Sequence, residues 1–150
     1  MTVRSATVED ASIITDFNCR LAFESEGLRL EPDRVRSGVE AQLEDPSRGR
    51  YVLAVRGARV VGQLAVTTEW SDWRAGYYWW IQSVFVDPAE RKRGIFRILF
   101  QRVEEEALRA GDCSGLRLYV ERENQRAIQA YEGVGLGETS YRIMERLFPR

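Results

Sequence analysis

Residues 84–96, VFVDPAERKRGIF, decide the fold because they join a buried strand, a basic loop and the start of a helix. The apolar run 77–86 predicts a central strand covered on both faces, which Asp87-Pro88 ends. From residue 95 onward, apolar residues recur at helical spacing. Backbone N–H groups at a helix start, beside a glycine such as Gly94, can converge on a diphosphate. The alternative is an ordinary turn with solvated basic side chains.

The elements on either side of this segment predict one α/β domain over residues 1–150. Toward the N-terminus the pattern predicts a short strand at 2–6, two helices at 7–27 and 32–45, and a hairpin of strands 51–55 and 60–68. Toward the C-terminus it predicts a strand at 116–120, a helix at 124–132 and a last strand or hairpin at 139–147. The strand–helix–strand units imply some parallel pairing, with helices packed on the sheet.

The composition excludes several classes of protein. The chain has 150 residues and a net charge of −1, which argues against nucleic-acid binding because such proteins carry a basic excess. Histidine is absent, which removes Ser-His-Asp and Cys-His hydrolases and most zinc enzymes. Cys19 and Cys113 lack the spacing of a metal site or an evident disulfide. No apolar run could span a bilayer and no signal core is present, so we expect a cytoplasmic protein without membrane contact.

The loop differs from the commoner phosphate-binding loops, and its context resembles one family. The chain has no G-x-x-x-x-G-K-[ST], and the glycines at 133, 135 and 137 follow a helix instead of opening one. The order of elements and the loop resemble the GNAT superfamily of N-acyltransferases, whose coenzyme A loop reads [QR]-x-x-G-x-[GA]. Arg91 and Gly94 match that motif. Phe96 replaces its final small residue, and Lys92 stands where many relatives have a second glycine.

Two more motifs carry the resemblance. Residues 84–88 are similar to the strand before the family loop, and N-x-x-A-x-x-x-Y at 124–131 is similar to the family's next helix. Asn124 and Tyr131 are seven residues apart and share one helix face. The resemblance implies a GNAT fold and acetyl-coenzyme A (acetyl-CoA) as co-substrate. The cofactor-binding residues it implies are Val84, Phe85, Val86, Arg91, Lys92, Arg93, Gly94, Ile95, Phe96, Asn124 and Tyr131.

The resemblance also implies a reaction, direct transfer of an acetyl group to the primary amine of a small molecule. A backbone N–H near Val84 or Phe85 would stabilise the oxyanion, in a slot where strands 77–86 and 116–120 splay apart. Tyr131 is the candidate general acid for the departing thiolate. The alternative for Tyr131 is a tyrosine that covers the core with its ring.

The base and the acceptor site are less defined by the sequence. Many relatives have a glutamate on the central strand near Gln82 or Ser83, and neither of these residues can act as a base. Because they are consecutive polar residues in an apolar strand, we expect them to face opposite sides, each with a buried partner or a substrate contact. Glu69, Asp72 or a water is the candidate base. Tryptophan rings and carboxylates attract ammonium groups, which gives the candidate acceptor residues Glu24, Glu69, Trp70, Asp72, Trp79, Trp80 and Gln82. Packing of the hairpin and core is the alternative for each tryptophan, and no residue set suggests a metal.

Two other functions stay open at this point. The first is a GNAT-fold module that binds acyl-CoA or regulates a partner without turnover, which the missing strand glutamate favours. The second is nucleic-acid binding through residues 91–93, which the acidic remainder argues against. Dimerisation is common in the fold, and a homodimer is left open by the sequence.

Overall fold

A computed structural model describes all 150 residues of the chain. The fold is one mixed five-stranded sheet with helices on both faces. The strands lie in chain order, β1 to β5. The first four pair antiparallel, and β4 pairs with β5 in parallel. The elements are β1 (Thr2–Ser5), α1 (Ala11–Glu26), α2 (Pro32–Glu44), β2 (Arg50–Arg56), β3 (Arg59–Ser71), β4 (Gly76–Val86), α3 (Ile95–Ala110), β5 (Cys113–Leu118) and α4 (Gln125–Glu132). The predicted α/β architecture is confirmed through α4.

Two apolar layers hold the helices to the sheet. On one face, side chains of β2 to β4 such as Leu64 and Ile81 pack against Leu99 and Val103 of α3. On the other face, Leu53 and its neighbours pack against α1 and α2. Alternate residues of β2 enter different layers, as the two-residue period of a strand requires. Most of β2 is buried between these two layers.

A β-bulge at Ser83 and Val84 interrupts β4 close to its C-terminal end. Gln63 lies opposite Phe85, whereas Ala65 lies opposite Gln82, so two residues of β4 face only one residue of β3. At the bulge Ser83 has a φ of 52°. Pairing of β4 with β5 ends at Ile81. Residues 82–86 therefore have an open edge on the β5 side, which agrees with the predicted splay of the two strands.

The bulge also corrects two expectations for β4. The strand is not buried on both faces along its length, since most of its residues are partly exposed. Gln82 was expected to need a buried partner, and that expectation is wrong. Its side chain is exposed, and its Nε2 donates to Oγ1 of Thr67 at 2.9 Å. The reason is that Gln82 precedes the bulge on a part of the sheet that no helix covers.

The prediction of a last strand or hairpin at 139–147 is also wrong. Residues 133–150 contain no helix or strand, and every residue from 137 to 150 is exposed. The segment forms no backbone hydrogen bonds with any strand of the sheet. A strand needs a partner for its backbone groups, and a local pattern does not supply one.

Asp10 is expected to be a main determinant of stability in acid. Its carboxylate accepts two hydrogen bonds from the guanidinium of Arg4, at 2.8 and 2.9 Å, and one from the N–H of Thr7 at 2.8 Å. These bonds, led by that of Arg4, hold the pKa of Asp10 below its ordinary value. Asp10→Asn should lower the free energy of unfolding at pH 7 by about 2 kcal/mol, because an amide cannot accept both guanidinium bonds.

The pH dependence of that loss provides the check. A lowered pKa in the folded state means that the stabilisation is present above about pH 3.9, the ordinary value, and is lost as the pH falls through the folded value. Urea unfolding should therefore show the deficit of Asp10→Asn at pH 7 and a shrinking deficit below pH 3.9. Asp16→Asn, which removes an exposed pair with Arg20, should change stability by less than about 0.5 kcal/mol. Equal losses in the two variants would contradict the assignment.

Candidate active site

A cleft of about 720 Å³ lies between the end of α1, the open end of β4, the start of α3 and the start of α4. Its lining includes all of the predicted cofactor-binding residues except Arg93. They come from three segments of the chain that the fold brings together. Asn124, which caps α4, and Tyr131 within α4 lie in the same cleft as the loop before α3, as their seven-residue spacing predicts.

The loop before α3 carries a row of unpaired N–H groups. None of the six backbone N–H groups from Lys92 to Arg97 donates a hydrogen bond within the chain. Lys92 and Gly94 have φ values of 65° and 78°, which turn the backbone sharply, and α3 begins directly after Gly94. Free N–H groups at the N-terminus of a 16-residue helix form a site for an anion.

The side chains of the two loop arginines are already paired. Arg91 donates from Nε to the carbonyl oxygen of Val86 at 3.0 Å and forms an ion pair with Glu24 at 2.7 Å. Arg93 lies 3.3 Å from the buried carboxylate of Glu90. Lys92 has no ion pair. The backbone N–H groups of the loop and the side chain of Lys92 are therefore the groups that remain available to bind an anion.

Glu24 lies in this cleft and not beside the tryptophans. Its carboxylate contacts Arg91 and, at 2.8 Å, Arg126 of α4, so that α1 is linked to both sides of the cleft. The pKa of Glu24 is lowered, first by the hydrogen bond from Arg91 and then by that from Arg126. The structure thus places this predicted acceptor residue with the cofactor-binding group.

Phe96 and Tyr131 pack against each other across the α3–α4 interface. Their ring centroids are 5.3 Å apart in an edge-on arrangement, and the ring of Phe96 also lies 5.9 Å from Phe100. The bulky side chain of Phe96 therefore points away from its own free N–H. Burial raises the pKa of the Tyr131 phenol above its ordinary value, so the group stays protonated through neutral pH.

Gln63 is a residue of the site that the sequence reasoning missed. It is fully buried, and its Nε2 donates to the carbonyl oxygen of Ser83 at 3.0 Å and to Oδ1 of Asn18 at 2.8 Å. The hydrogen bond to Ser83 holds the backbone of the bulge in place from the neighbouring strand β3. The available signal was a single amide within the apolar run 60–66 of β3. A buried amide needs partners, and the partner here is the backbone of the irregular part of β4.

Three of the predicted acceptor residues share the uncovered part of the α1 face of the sheet. The indole Nε1 of Trp80 donates to a carboxylate oxygen of Glu69 at 3.1 Å, and Gln82 lies two residues further along the same strand. The ring of Tyr119 stacks on Trp80 with centroids 4.5 Å apart, and the guanidinium of Arg117 lies 3.6 Å from the ring centroid of Tyr78. This face combines aromatic rings with one carboxylate.

The remaining predicted acceptor residues lie elsewhere. Trp79 points to the opposite face, where it packs against the α3 core and under the guanidinium of Arg50. Trp70 packs edge-on against Tyr77, and Asp72 lies in the exposed turn between β3 and β4. Alternation along the strands separates these residues from Trp80. No three His, Cys, Asp or Glu side chains are grouped so as to hold a metal ion, and no helix is long and apolar enough to span a membrane.

Comparisons with known proteins agree on one family. The model of the acetyltransferase (GNAT) family matches residues 16–136. The chain is similar to the crystal structure of a possible acetyltransferase from Clostridium difficile 630, with 39% identity, a TM-score of 0.92, and coverage of 99% of this chain and 98% of that one. No curated protein sequence matches.

More distant structures share the fold. A predicted acetyltransferase from Clostridium acetobutylicum, solved with acetyl-CoA, is 14% identical with a TM-score of 0.79, over 97% of this chain and 95% of that one. An aminoglycoside acetyltransferase from an uncultured soil sample is 18% identical with a TM-score of 0.73, over 98% of both chains.

Proposed function

The chain belongs to the acetyltransferase (GNAT) family, and from that premise we propose that it transfers the acetyl group of acetyl-CoA to a primary amine of a small molecule. The observation that carries the proposal is the row of six free N–H groups at residues 92–97, opposite Tyr131 in one cleft. A diphosphate requires such a row, and the cleft is of a size that suits a nucleotide-like ligand.

The residues of the cleft fit the parts of acetyl-CoA in order. The row of N–H groups would hold the diphosphate at the start of α3. The open edge of β4 beyond Ile81 offers backbone groups to the amides of the pantetheine arm, as an added strand would use them. Asn124 already caps α4 by accepting the N–H of Ala127 at 3.2 Å, which fixes that helix beside the cleft.

The proposed reaction needs an oxyanion donor and a proton donor. The amine nitrogen bonds to the thioester carbonyl carbon, the C–S bond then breaks, and the sulfur receives a proton while the nitrogen loses one. A backbone N–H at Val84 or Phe85, in the bulge that Gln63 fixes, would stabilise the oxyanion. Tyr131 would donate its proton to the sulfur. The raised pKa of Tyr131 keeps the phenol protonated at neutral pH. Because burial disfavours charged groups, the surroundings of Tyr131 would also favour protonation of the leaving thiolate.

The surface around Trp80 is the proposed acceptor site. An ammonium group is attracted both by the ring of Trp80 and by the carboxylate of Glu69 that this indole holds. Glu69 lies four residues along β3 from Ala65, which pairs with Gln82 beside the bulge, and this separation corresponds to roughly 13 Å. Glu69 therefore binds or orients the amine, and reaches the reacting nitrogen only through water.

A thiol-release assay tests the function. The protein is incubated with acetyl-CoA and a panel of polyamines, amino acids, aminoglycosides and simple aryl-alkyl amines, and free thiol is measured against amine-free controls. The proposal expects amine-dependent release with at least one class. Thermal stabilisation by acetyl-CoA without turnover on any amine would instead support a non-catalytic acyl-CoA-binding module, and absence of both effects would reject the cleft as a coenzyme site.

Glu69→Gln is expected to weaken use of the amine but not of acetyl-CoA. Removing the charge should lower kcat/KM for the amine by about 10-fold, equivalent to about 1.4 kcal/mol. The KM for acetyl-CoA should be unchanged, because Glu69 does not line the cleft of the loop. Steady-state kinetics with each substrate varied in turn provides the check. Glu105→Gln makes the same charge change at an exposed position of α3 and should have no effect. Equal kinetics for the two variants would remove Glu69 from the acceptor site.

A further inference from the structure

The uncovered part of the α1 face of the sheet carries a cation, Arg117, close to the carboxylate of Glu69. We propose that the acceptor is a free diamino acid of the length of lysine. Glu69 and Arg117 hold its α-ammonium and α-carboxylate, and the amine at the far end of its side chain, the ω-amine, is acetylated. This inference rests on the proposed acetyl transfer and names the substrate class of that site.

Arg117 and Glu69 approach each other from strands on opposite sides of β4. Arg117 pairs with Trp80, which pairs in turn with Thr67 of β3, so these three side chains share one face of the sheet. The guanidinium of Arg117 lies over the ring of Tyr78, 3.6 Å from its centroid. Glu69 pairs with Tyr78 and accepts the indole N–H of Trp80 at 3.1 Å. The two charged groups therefore lie beside the same two aromatic rings.

The guanidinium of Arg117 is held in place by aromatic rings and not by hydrogen bonds. Besides Tyr78, the rings of Trp80 and Tyr141 lie 5.9 and 6.0 Å from it. It donates no hydrogen bond within the chain, and its one ion-pair partner is Oε1 of Glu69 at 4.0 Å. The side chain is 29% exposed. A stacked arginine whose planar fork of donors is unused is suited to bind a carboxylate.

The separation of these two groups matches the charges of a free amino acid. Its ammonium nitrogen and nearest carboxylate oxygen lie roughly 3 Å apart, from standard bond lengths. Arg117 and Glu69 are 4.0 Å apart, so the ammonium can contact Glu69 while the carboxylate contacts Arg117. A simple diamine has no anion for Arg117, and its ammonium group would be repelled by the guanidinium. The pair therefore favours an acceptor that carries both charges.

The distance from this pair to the bulge decides which amine of the acceptor reacts. Trp80, beside which the pair lies, is three residues before Ser83, roughly 10 Å along β4. An α-amine held by Glu69 is thus too far from a thioester at the bulge. The ω-nitrogen of lysine is five bonds from its α-carbon, roughly 6 Å when extended. A reacting nitrogen adds about 3 Å to the carbonyl carbon, and the two lengths together come close to the separation.

The reaction makes an amide at the ω-nitrogen and leaves the α-groups unchanged. The ω-ammonium first loses a proton to solvent. Its neutral nitrogen then bonds to the thioester carbonyl carbon, the C–S bond breaks, the nitrogen releases a second proton and the sulfur receives one. The products are the ω-N-acetyl amino acid and free coenzyme A.

Kinetics with three related amines tests the proposal. Lysine carries both α-groups, cadaverine lacks the carboxylate, and 6-aminohexanoate lacks the α-amine, whereas all three present the same ω-amine. The kcat/KM for lysine should exceed that for either analogue by at least about 10-fold, because each analogue loses one charge-assisted contact. Mass spectrometry of the product should place the acetyl group of lysine on its ω-nitrogen.

Two variants assign each α-group to its partner. Arg117→Gln should lower the ratio of kcat/KM for lysine to that for cadaverine by at least about 10-fold, because only lysine has a carboxylate to lose its partner. Glu69→Gln should lower the ratio of lysine to 6-aminohexanoate in the same way. Arg109→Gln removes the same charge as Arg117→Gln at an exposed position of α3 and should leave both ratios unchanged.

The outcomes separate the acceptor from the acetyl transfer itself. Cadaverine used as well as lysine, acetylation of the α-nitrogen, or an unchanged lysine-to-cadaverine ratio in Arg117→Gln would overturn the assignment while the transferase function stands. Lysine with both α-groups blocked as amides, if used as well as free lysine, would show that the acceptor is a side chain within a peptide and would also overturn it. No thiol release with any amine would reject the transferase function, on which the inference rests.

Discussion

Replacing Tyr131 by phenylalanine should lower kcat by about 100-fold or more while acetyl-CoA binding is retained. General acid catalysis by a positioned side chain contributes about 10² to 10⁴ in rate. The substitution keeps the ring that packs on Phe96 and removes only the oxygen. The loss should therefore appear in kcat and not in the thermal stabilisation by acetyl-CoA.

The pH profile makes this prediction more specific. Burial raises the pKa of the phenol above its ordinary value of about 10, so the group is protonated at every pH between 6 and 9. The ratio of wild-type to variant kcat should thus be constant over that range, and the contribution of Tyr131 should decline only as the pH rises through its folded pKa. Kinetics measured with saturating amine at several pH values provides the check.

Tyr77→Phe is the matched control for Tyr131→Phe. Tyr77 lies on β4 six residues before Ser83, roughly 20 Å away, and packs on Trp70. It should leave kcat unchanged. A kcat of Tyr131→Phe that equals wild type with a good amine would show that the tyrosine only covers the core with its ring.

The grouping of the predicted cofactor-binding residues in one cleft could be anticipated from sequence because its signals are local. A strand, a glycine at a helix start and two residues seven apart on a helix are each set by the chain within about ten residues. The ion pairs of Glu24 could not be predicted in this way. They join residues 67 and 102 positions apart, and their existence depends on where α1 ends relative to α4.

The arrangement of the predicted acceptor residues was harder to derive from sequence because one residue changes the geometry of β4. In a regular strand, the consecutive residues Gln82 and Ser83 would point to opposite faces of the sheet. Ser83 instead adopts a left-handed backbone conformation, and the regular alternation of side chains stops there. Trp79 and Trp80, in contrast, lie in a regular part of β4. Regular alternation separates them, and only the structure shows that Trp80 takes the face that no helix covers.

The C-terminal segment 139–147 shows how β-prone residues can give a wrong prediction of an element. Residues 139–147 include β-prone residues such as Tyr141 and Ile143, and the structure leaves the segment without a partner strand. Strand propensity describes how well a side chain fits a pleated, half-buried surface, and it does not show that a neighbouring strand is present. This is why the prediction of a strand or hairpin at 139–147 was wrong.

Gly94→Asp should weaken acetyl-CoA binding by at least about 100-fold. No atom lies within 4 Å of the position that a Cβ would take at Gly94, which lines the cleft, so an added side chain has room beside the free N–H groups. A unit charge about 4 Å from another costs about 4 kcal/mol at the effective dielectric of a protein surface, and a diphosphate carries more than one. A carboxylate at this position therefore opposes the ligand that the N–H groups attract.

Two matched variants separate charge from backbone strain. Gly57 in the β2–β3 turn has a φ of 63°, close to the 78° of Gly94, and the same open surroundings. Gly57→Asp should thus lose similar stability, about 1 kcal/mol, without losing binding. Gly94→Asn keeps the shape without the charge and should bind acetyl-CoA more tightly than Gly94→Asp. Calorimetric titration of the three variants gives the Kd values. If Gly94→Asn and Gly94→Asp were equally weak, shape and not charge would control the site, and if Gly94→Asp bound like wild type, the diphosphate would lie elsewhere.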